Sequence, residues 1–172
     1  DSAQLQSLII ETAKRFFAVR NIGEIKQKQD GSLVTQVDIE LQAAITSILH
    51  HQWPEIPLLG EEMGQADQRR LMSSDAFWCL DPLDGTTNFA NEIPFFAISL
   101  ALVKDGKVVT GVVYDPMHDE CFRADLGGGA WLNDRLLRLQ RKNQLLRECV
   151  ALVDFKRLPK TLIHKIAEQL ML

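Results

Sequence analysis

Two acidic clusters each end an apolar run. Gly60-Glu61-Glu62 follows Ile56 to Leu59, and Asp81-Pro82-Leu83-Asp84 follows Phe77 to Leu80. Asp81 and Asp84 stand three residues apart, so a chain that bends at Pro82-Leu83 can aim both carboxylates at one point. Glu61 joins them if the two apolar runs are neighbouring strands. Converging carboxylates repel and their pKa values rise, a cost that a divalent cation removes. Carboxylates with backbone carbonyls form an all-oxygen donor set, suited to Mg2+ with Mn2+ as a possible substitute. Gly85-Thr86-Thr87 supplies an anion half. Gly85 permits close backbone approach. A short helix over Thr86 to Ala90 would turn free N–H groups toward an anion, and the Thr86 hydroxyl could orient a water. A cation beside an anion cradle suits in-line attack on phosphorus by a metal-activated water, with two metals serving nucleophile and leaving oxygen.

Plainer readings stand beside these. Asp-Pro-Leu-Asp-Gly is also good turn sequence, and spacing alone leaves both readings open. Two clusters, each at the end of an apolar run, strengthen the metal reading. Thr35-Gln36-Val37-Asp38 is a capping box with Thr35 as N-cap, which puts Asp38 on the first turn of a helix whether or not it also takes part in chemistry. Lys28 reads most simply as a solvated hairpin residue. Gly127 to Gly129 make a tight turn, since no Lys-Ser or Lys-Thr follows them. The four histidines are scattered and do not pattern as ligands.

Periodicity supplies the elements that must position these groups. Leu5, Leu8, Ile9, Ala13, Phe16 and Phe17 predict a helix over 3–19. Short strands follow at 25–28 and 33–35 about Asp30-Gly31. A second helix begins after Thr35, with Val37, Leu41, Ala44, Ile45 and Ile48 as its apolar face. Strands are expected at 56–59 and 77–80, with a polar surface loop at 64–75 between them. The segments 96–103 and 107–114 form a hairpin about Asp105-Gly106 and read as central strands. Shorter strands fall at 120–124, 130–132 and 148–153, and a final helix at 161–172. The expected fold class is α+β: an antiparallel sheet with helices packed against it.

The chain of 172 residues is 46% hydrophobic and carries a net charge of −4, enough for a core and without a basic footprint for nucleic acid. Cys79, Cys121 and Cys149 lack zinc spacing and read as buried thiols. No basic-then-apolar leader and no run of 18 apolar residues occurs, so a cytoplasmic protein without membrane contact is the expectation.

The segment from Asp81 through Gly85-Thr86-Thr87-Asn88-Phe89 resembles the signature of the inositol monophosphatase family. Gly60-Glu61-Glu62 resembles its preceding metal motif, and Leu33 to Asp38 its early Thr-to-Asp segment. Pro94-Phe95 to Leu100 and Gly111 to Pro116 follow in the family's order. The resemblance implies the first part of a layered α-β-α-β-α fold. It also implies magnesium-dependent hydrolysis of a small phosphorylated metabolite, foremost inositol monophosphate. Fructose 1,6-bisphosphate and adenosine 3',5'-bisphosphate are the alternative substrates within the superfamily, and a non-catalytic metal-binding fragment is a further alternative. By resemblance, Glu61, Asp81, the Leu83 carbonyl and Asp84 hold metal. Asp84, Gly85 and Thr86 meet the phosphate; Glu61, Thr86 and Asp38 serve catalysis, and Lys28 lies near the site edge.

The family also carries a downstream Trp-Asp motif that this sequence lacks. The chain therefore reads as an N-terminal portion, with residues 1–153 as the metal-binding phosphatase domain and 154–172 as connector and first helix of a C-terminal α/β portion. The full-length protein is expected to be a homodimer. The 172-residue chain alone is expected to hydrolyse phosphomonoesters poorly or not at all, and Ile98, Leu100, Leu102, Val109, Gly111 or Val113 are expected to lose their cover.

Overall fold

The computed structural model describes residues 1–18, 25–27, 33–60, 63–138 and 158–170, with the backbone alone at 25–27, 33–35 and 169–170. Helix α1 spans Ser2–Phe17. The Asp1 carboxylate caps it by accepting from the Gln4 N–H at 2.9 Å. Leu5, Ile9 and Ala13 bury one stripe, while Lys14 and Arg15 sit in the last turn, where the dipole favours cations. Strands β1 (Ile25–Gln27) and β2 (Leu33–Thr35) form an antiparallel pair, and α2 follows at once over Gln36–Gln52. Its buried stripe runs Val37, Leu41, Ile45 and Leu49. Leu49, one residue past the expected Ile48, completes it because the stripe advances strictly by four.

The main sheet has seven strands in sequence order: β3 (Leu58–Gly60), β4 (Ala76–Asp84), β5 (Ala97–Lys104), β6 (Lys107–Asp115), β7 (Glu120–Asp125), β8 (Gly129–Leu132) and β9 (Arg135–Leu136). All neighbours pair antiparallel except β3 with β4, which run parallel. A parallel pair needs a crossover, and the segment expected to be a surface loop provides it as helix α3, Gln65–Met72. Periodicity could not announce α3, because none of its residues is buried. It is held by local terms, including an Asp67–Arg70 pair at 3.3 Å and arginines in its last turn.

Strand β4 also runs further than its apolar part suggests. It passes Asp81 and ends at Asp84, with Asp81 opposite Ser99 and Asp84 opposite Ala97. Three steps on β4 thus face two on β5, which is a bulge. Pro82 sits inside that shift, where a missing N–H costs no ladder bond.

Successive strand residues face opposite ways. One row, Leu80, Leu100 and Val112, lies beneath the helices and forms the core with Leu5, Ile9, Leu41, Ile45, Trp78, Ile98 and Tyr114. The next row, Asp81, Ser99, Val113 and Phe122, points away from them. Ile98 and Leu100, expected to lose their cover, are 0% and 1% exposed under α1 and α2, whereas Val113 is 41% exposed. Of the cysteines, Cys121 is buried, but Cys79 is exposed, because it belongs to the outward row. Cys149 lies outside the described residues, as does the expected strand at 148–153.

The compact unit carrying the sheet ends at Arg138, and residues 139–172 cluster as a second unit. Its described part is helix α5, Lys160–Leu170. No helix among the described residues is long and apolar enough to cross a membrane.

Candidate metal and phosphate site

The bulge in β4 turns four backbone positions into a corner. Asp81 is its first residue, and its Oδ1 accepts from the Leu83 N–H at 3.2 Å, folding the carboxylate back over Pro82. The Leu83 side chain is anchored in the interior at 1% exposure, which fixes its backbone carbonyl. Asp84 closes the strand with an exposed side chain. Gly85 then takes φ 95° and ψ 30°, a left-handed conformation that side chains resist. A Cβ there would also lie 3.0 Å from the Phe95 carbonyl oxygen. Both constraints demand glycine, and the chain leaves this turn directly into the short helix α4, Thr86–Ala90.

Helix α2 delivers Asp38 to the same corner. Asp38 lies in the first turn and is 6% exposed. The Thr86 Oγ1 is 3.1 Å from Asp38 Oδ1 and 2.9 Å from the Leu83 carbonyl oxygen. A hydroxyl has one proton, so it donates to one of these acceptors at a time. Donation to the carboxylate is the charge-assisted choice, and it leaves the hydroxyl lone pairs able to accept from a water.

The structure therefore gathers Asp38, Leu83 and Thr86 directly, with Asp81 tied in through the Leu83 amide and Gly85 forming the corner itself. Glu61 and Lys28 lie outside the described residues. The last registered pair between β3 and β4 is Gly60 with Leu80, one residue before Glu61 on one strand and before Asp81 on the other. Among the described residues no three His, Cys, Asp or Glu side chains converge as a ready cage.

The donor chemistry nonetheless fits a hard cation. Asp81, Leu83 and Asp84 offer two carboxylates and a carbonyl within one bulge, all oxygen. Cys79, two residues upstream, is a poor competitor for softer metals. Although Cys79 lies on the outward row, partial desolvation by its neighbours first, and the Asp81 charge second, push its thiol above the ordinary pKa and disfavour the thiolate a metal needs.

One residue with no role assigned from sequence enters here. The Asn88 Nδ2 donates to the Phe95 carbonyl at 2.7 Å, the same oxygen that crowds Gly85. Its type was visible in the motif, but its partner, seven residues on, required the fold.

A family model described as the inositol monophosphatase family matches residues 2–171. The chain is 38% identical over 134 residues to an inositol-1-monophosphatase of Mesorhizobium japonicum, covering 78% of this chain and 49% of that protein. It is 38% identical over 118 residues to a Nus factor SuhB of Pasteurella multocida, covering 69% of this chain and 43% of that one. A solved IMPase/NADP phosphatase complexed with Mg2+ and phosphate matches with a TM-score of 0.64 and 28% identity, over 76% of this chain and 48% of that chain. The chain thus spans about half the length of the curated relatives it matches.

Proposed function

Because the chain belongs to the inositol monophosphatase family, we propose that the whole protein is a magnesium-dependent phosphomonoesterase acting on a small phosphorylated metabolite, foremost inositol monophosphate. The observation that carries this reading is the hydrogen-bonded set Asp38–Thr86–Leu83 on the bulge that starts at Asp81. Asp38, buried beside the hydroxyl, draws its proton and leaves Thr86 to hold a water by its lone pairs. The left-handed turn at Gly85 would present the backbone N–H groups of Gly85 and Thr86 to a phosphate. Asp81, the Leu83 carbonyl and Asp84 would hold the cation, with Glu61 as a further ligand from the end of β3 and Lys28 at the site edge. The cation, Mg2+ or its substitute Mn2+, would supply charge that stabilises the transferred phosphoryl group and acidifies water. The similar IMPase/NADP phosphatase, solved with Mg2+ and phosphate together, supports this pairing of ligands.

The same reading takes residues 1–153 as the metal-binding part and 154–172 as the lead into a C-terminal portion that completes the substrate pocket. It makes the intact protein a cytoplasmic homodimer and expects residues 1–172 alone to hydrolyse phosphomonoesters poorly.

The experiment is calorimetric titration of the intact protein with Mg2+, for wild type and Asp81→Asn, followed by steady-state kinetics on inositol 1-phosphate. Asp81→Asn should weaken Mg2+ binding by roughly tenfold or more, since it removes one charged ligand. Thr86→Ala should lower kcat by on the order of 100-fold with little change in KM, because its hydroxyl works mainly in the transition state. Equal Mg2+ binding by wild type and Asp81→Asn, or a Thr86→Ala change confined to KM, would overturn the reading.

A further inference from the structure

The corner at Gly85 is held from behind. The segment 91–96 returns the chain from α4 to β5, and its Phe95 carbonyl presses on the face of Gly85 where a Cβ would stand. One side chain ties that carbonyl down: Asn88, through Nδ2 at 2.7 Å. The Asn88 main chain works on the same loop, its carbonyl accepting from Ile93 N–H at 2.8 Å and Asn91 N–H at 3.1 Å. Beneath, Phe89 and Phe96 pack edge to face with centroids 5.0 Å apart, and Phe17 of α1 touches both. The loop thus has several anchors that do not need the Asn88 side chain. What the carboxamide adds is local: it sets where the Phe95 oxygen stands against the left-handed glycine.

We propose that Asn88 is a positioning residue, whose carboxamide holds the Phe95 carbonyl against Gly85 and so fixes the turn that aims the Thr86 hydroxyl at Asp38. The proposal rests on the reading that Thr86 and Asp38 prepare the attacking water. The demand on the side chain is narrow. It must donate, so an ionised aspartate fails and sets a negative charge against a carbonyl oxygen. Its reach is also set, because the amide nitrogen stands 2.7 Å from the Phe95 oxygen and glutamine would place its donor one methylene further on. Thr86 follows Gly85 directly, and its hydroxyl stands between two acceptors at 2.9 and 3.1 Å, so a small shift of the turn changes which of them takes its one proton. Geometry of this kind is sensitive, since a misplacement of about 1 Å can cost on the order of 100-fold in rate.

The test uses the intact protein with Mg2+ and inositol 1-phosphate, comparing Asn88→Ala, Asn88→Asp, Thr86→Ala and the double variant Asn88→Ala/Thr86→Ala. A second readout needs neither metal nor turnover: the 15N–1H resonances of Gly85 and Thr86 against those of β6 and β7. The expected results are a kcat loss of roughly 10- to 100-fold in Asn88→Ala with KM within about threefold, and Gly85 and Thr86 resonances that shift while the β6–β7 amides stay in place. In the Thr86→Ala background, Asn88→Ala should add less than about threefold, because the group it positions is gone. At neutral pH Asn88→Asp should lose at least as much kcat as Asn88→Ala, because an ionised carboxylate cannot donate to the Phe95 carbonyl and sets a negative charge against it. A full kcat loss in Thr86→Ala with wild-type kcat in Asn88→Ala would overturn this inference and leave the catalytic reading standing. Wild-type kcat in Thr86→Ala would overturn the catalytic reading first and this inference with it. Unmoved Gly85 and Thr86 resonances in Asn88→Ala, or losses that multiply fully in the double variant, would overturn the positioning role alone.

Discussion

The two faces of the main sheet are one residue apart in sequence and opposite in chemistry. Toward the helices, Leu80, Leu100 and Val112 line up across three strands at 1–2% exposure. Toward the other side the neighbouring row reads Asp81, Ser99, Val113 and Phe122, with the last two at 41%. The helix-covered face carries the main core, filled by α1 and α2. The outward row is free to carry a carboxylate at its β4 end, and the bulge after Asp81 turns that end into a corner. Stability and chemistry thus divide by strand parity, and the division can be tested from either side.

The largest effect belongs to the covered face. Trp78 is 2% exposed and packs against Trp53 with ring centroids 5.3 Å apart and planes tilted by 53°. Trp78→Ala should destabilise the fold by about 3–5 kcal/mol, combining lost transfer free energy with the cavity left behind. Phe122→Ala on the opposite face should cost under about 1 kcal/mol, since much of that ring already meets water. Urea unfolding of this chain measures both. Equal losses would mean that the outward row is packed as tightly as the core.

This contrast also explains what could be read before the fold was known. The apolar stripes of α1 and α2, the hairpin of β5 and β6, and the acids that end apolar runs are all patterns of burial, and burial leaves periodicity in a sequence. Helix α3 leaves none, because it buries nothing. The parallel arrangement of β3 and β4 follows from α3 and was hidden with it. Asp38 and Thr86 lie 48 residues apart, and their hydrogen bond depends on where α2 docks. The resemblance named that pair, while the capping box alone assigned Asp38 only a place in the first turn. The extension of β4 through Pro82 was unreadable for a different reason: a proline in a strand argues for an ending unless a bulge excuses the missing donor.

A middle-sized effect lies at the far end of the covered face. The Asp125 carboxylate accepts from Ser2 N–H at 3.2 Å, from Ser2 Oγ at 2.5 Å and from Thr110 Oγ1 at 2.7 Å. Burial alone raises its pKa, but these hydrogen bonds outweigh burial and bring it below the ordinary carboxylate value. Arg123 joins the cluster by donating to Ser2 Oγ at 3.1 Å, and its guanidinium lies 4.3 Å from the Trp131 ring centroid. Asp125→Ala would take the acceptor from the Ser2 hydroxyl and leave Thr110 Oγ1 only its longer bond to the Ala124 carbonyl at 3.2 Å, and should cost about 1–3 kcal/mol. The sign of the pH effect follows from the lowered pKa. The contribution is present above the unfolded value, near 3.9, and is lost as pH falls through the folded value. Wild type should therefore lose more stability than Asp125→Ala as pH falls below about 4. Asp115 and Asp119, also lowered, add to the acid limb in both proteins. Parallel acid-unfolding curves for the two proteins would remove Asp125 from this role.

The finest test places one substitution on each face at adjacent positions. Val112 is 1% exposed and Val113 41%, both within β6, and they pair with Leu100 and Ser99 respectively. Valine to threonine keeps the β-branch and nearly the shape, so strand propensity changes little in either case. What changes is a methyl for a hydroxyl. At Val112 the hydroxyl would enter an apolar site beside Leu100 and the helix stripes, so Val112→Thr should cost about 1–3 kcal/mol. At Val113 water reaches the group and satisfies it, so Val113→Thr should stay within about 0.5 kcal/mol. The difference between two neighbours with identical chemistry isolates the face from the residue type, which no single substitution can do. Denaturant midpoints with unchanged slopes are the readout. A Val113→Thr loss equal to that of Val112→Thr would show that the outward face is desolvated in this chain, and the division of the sheet into a stabilising face and a chemical one would fail.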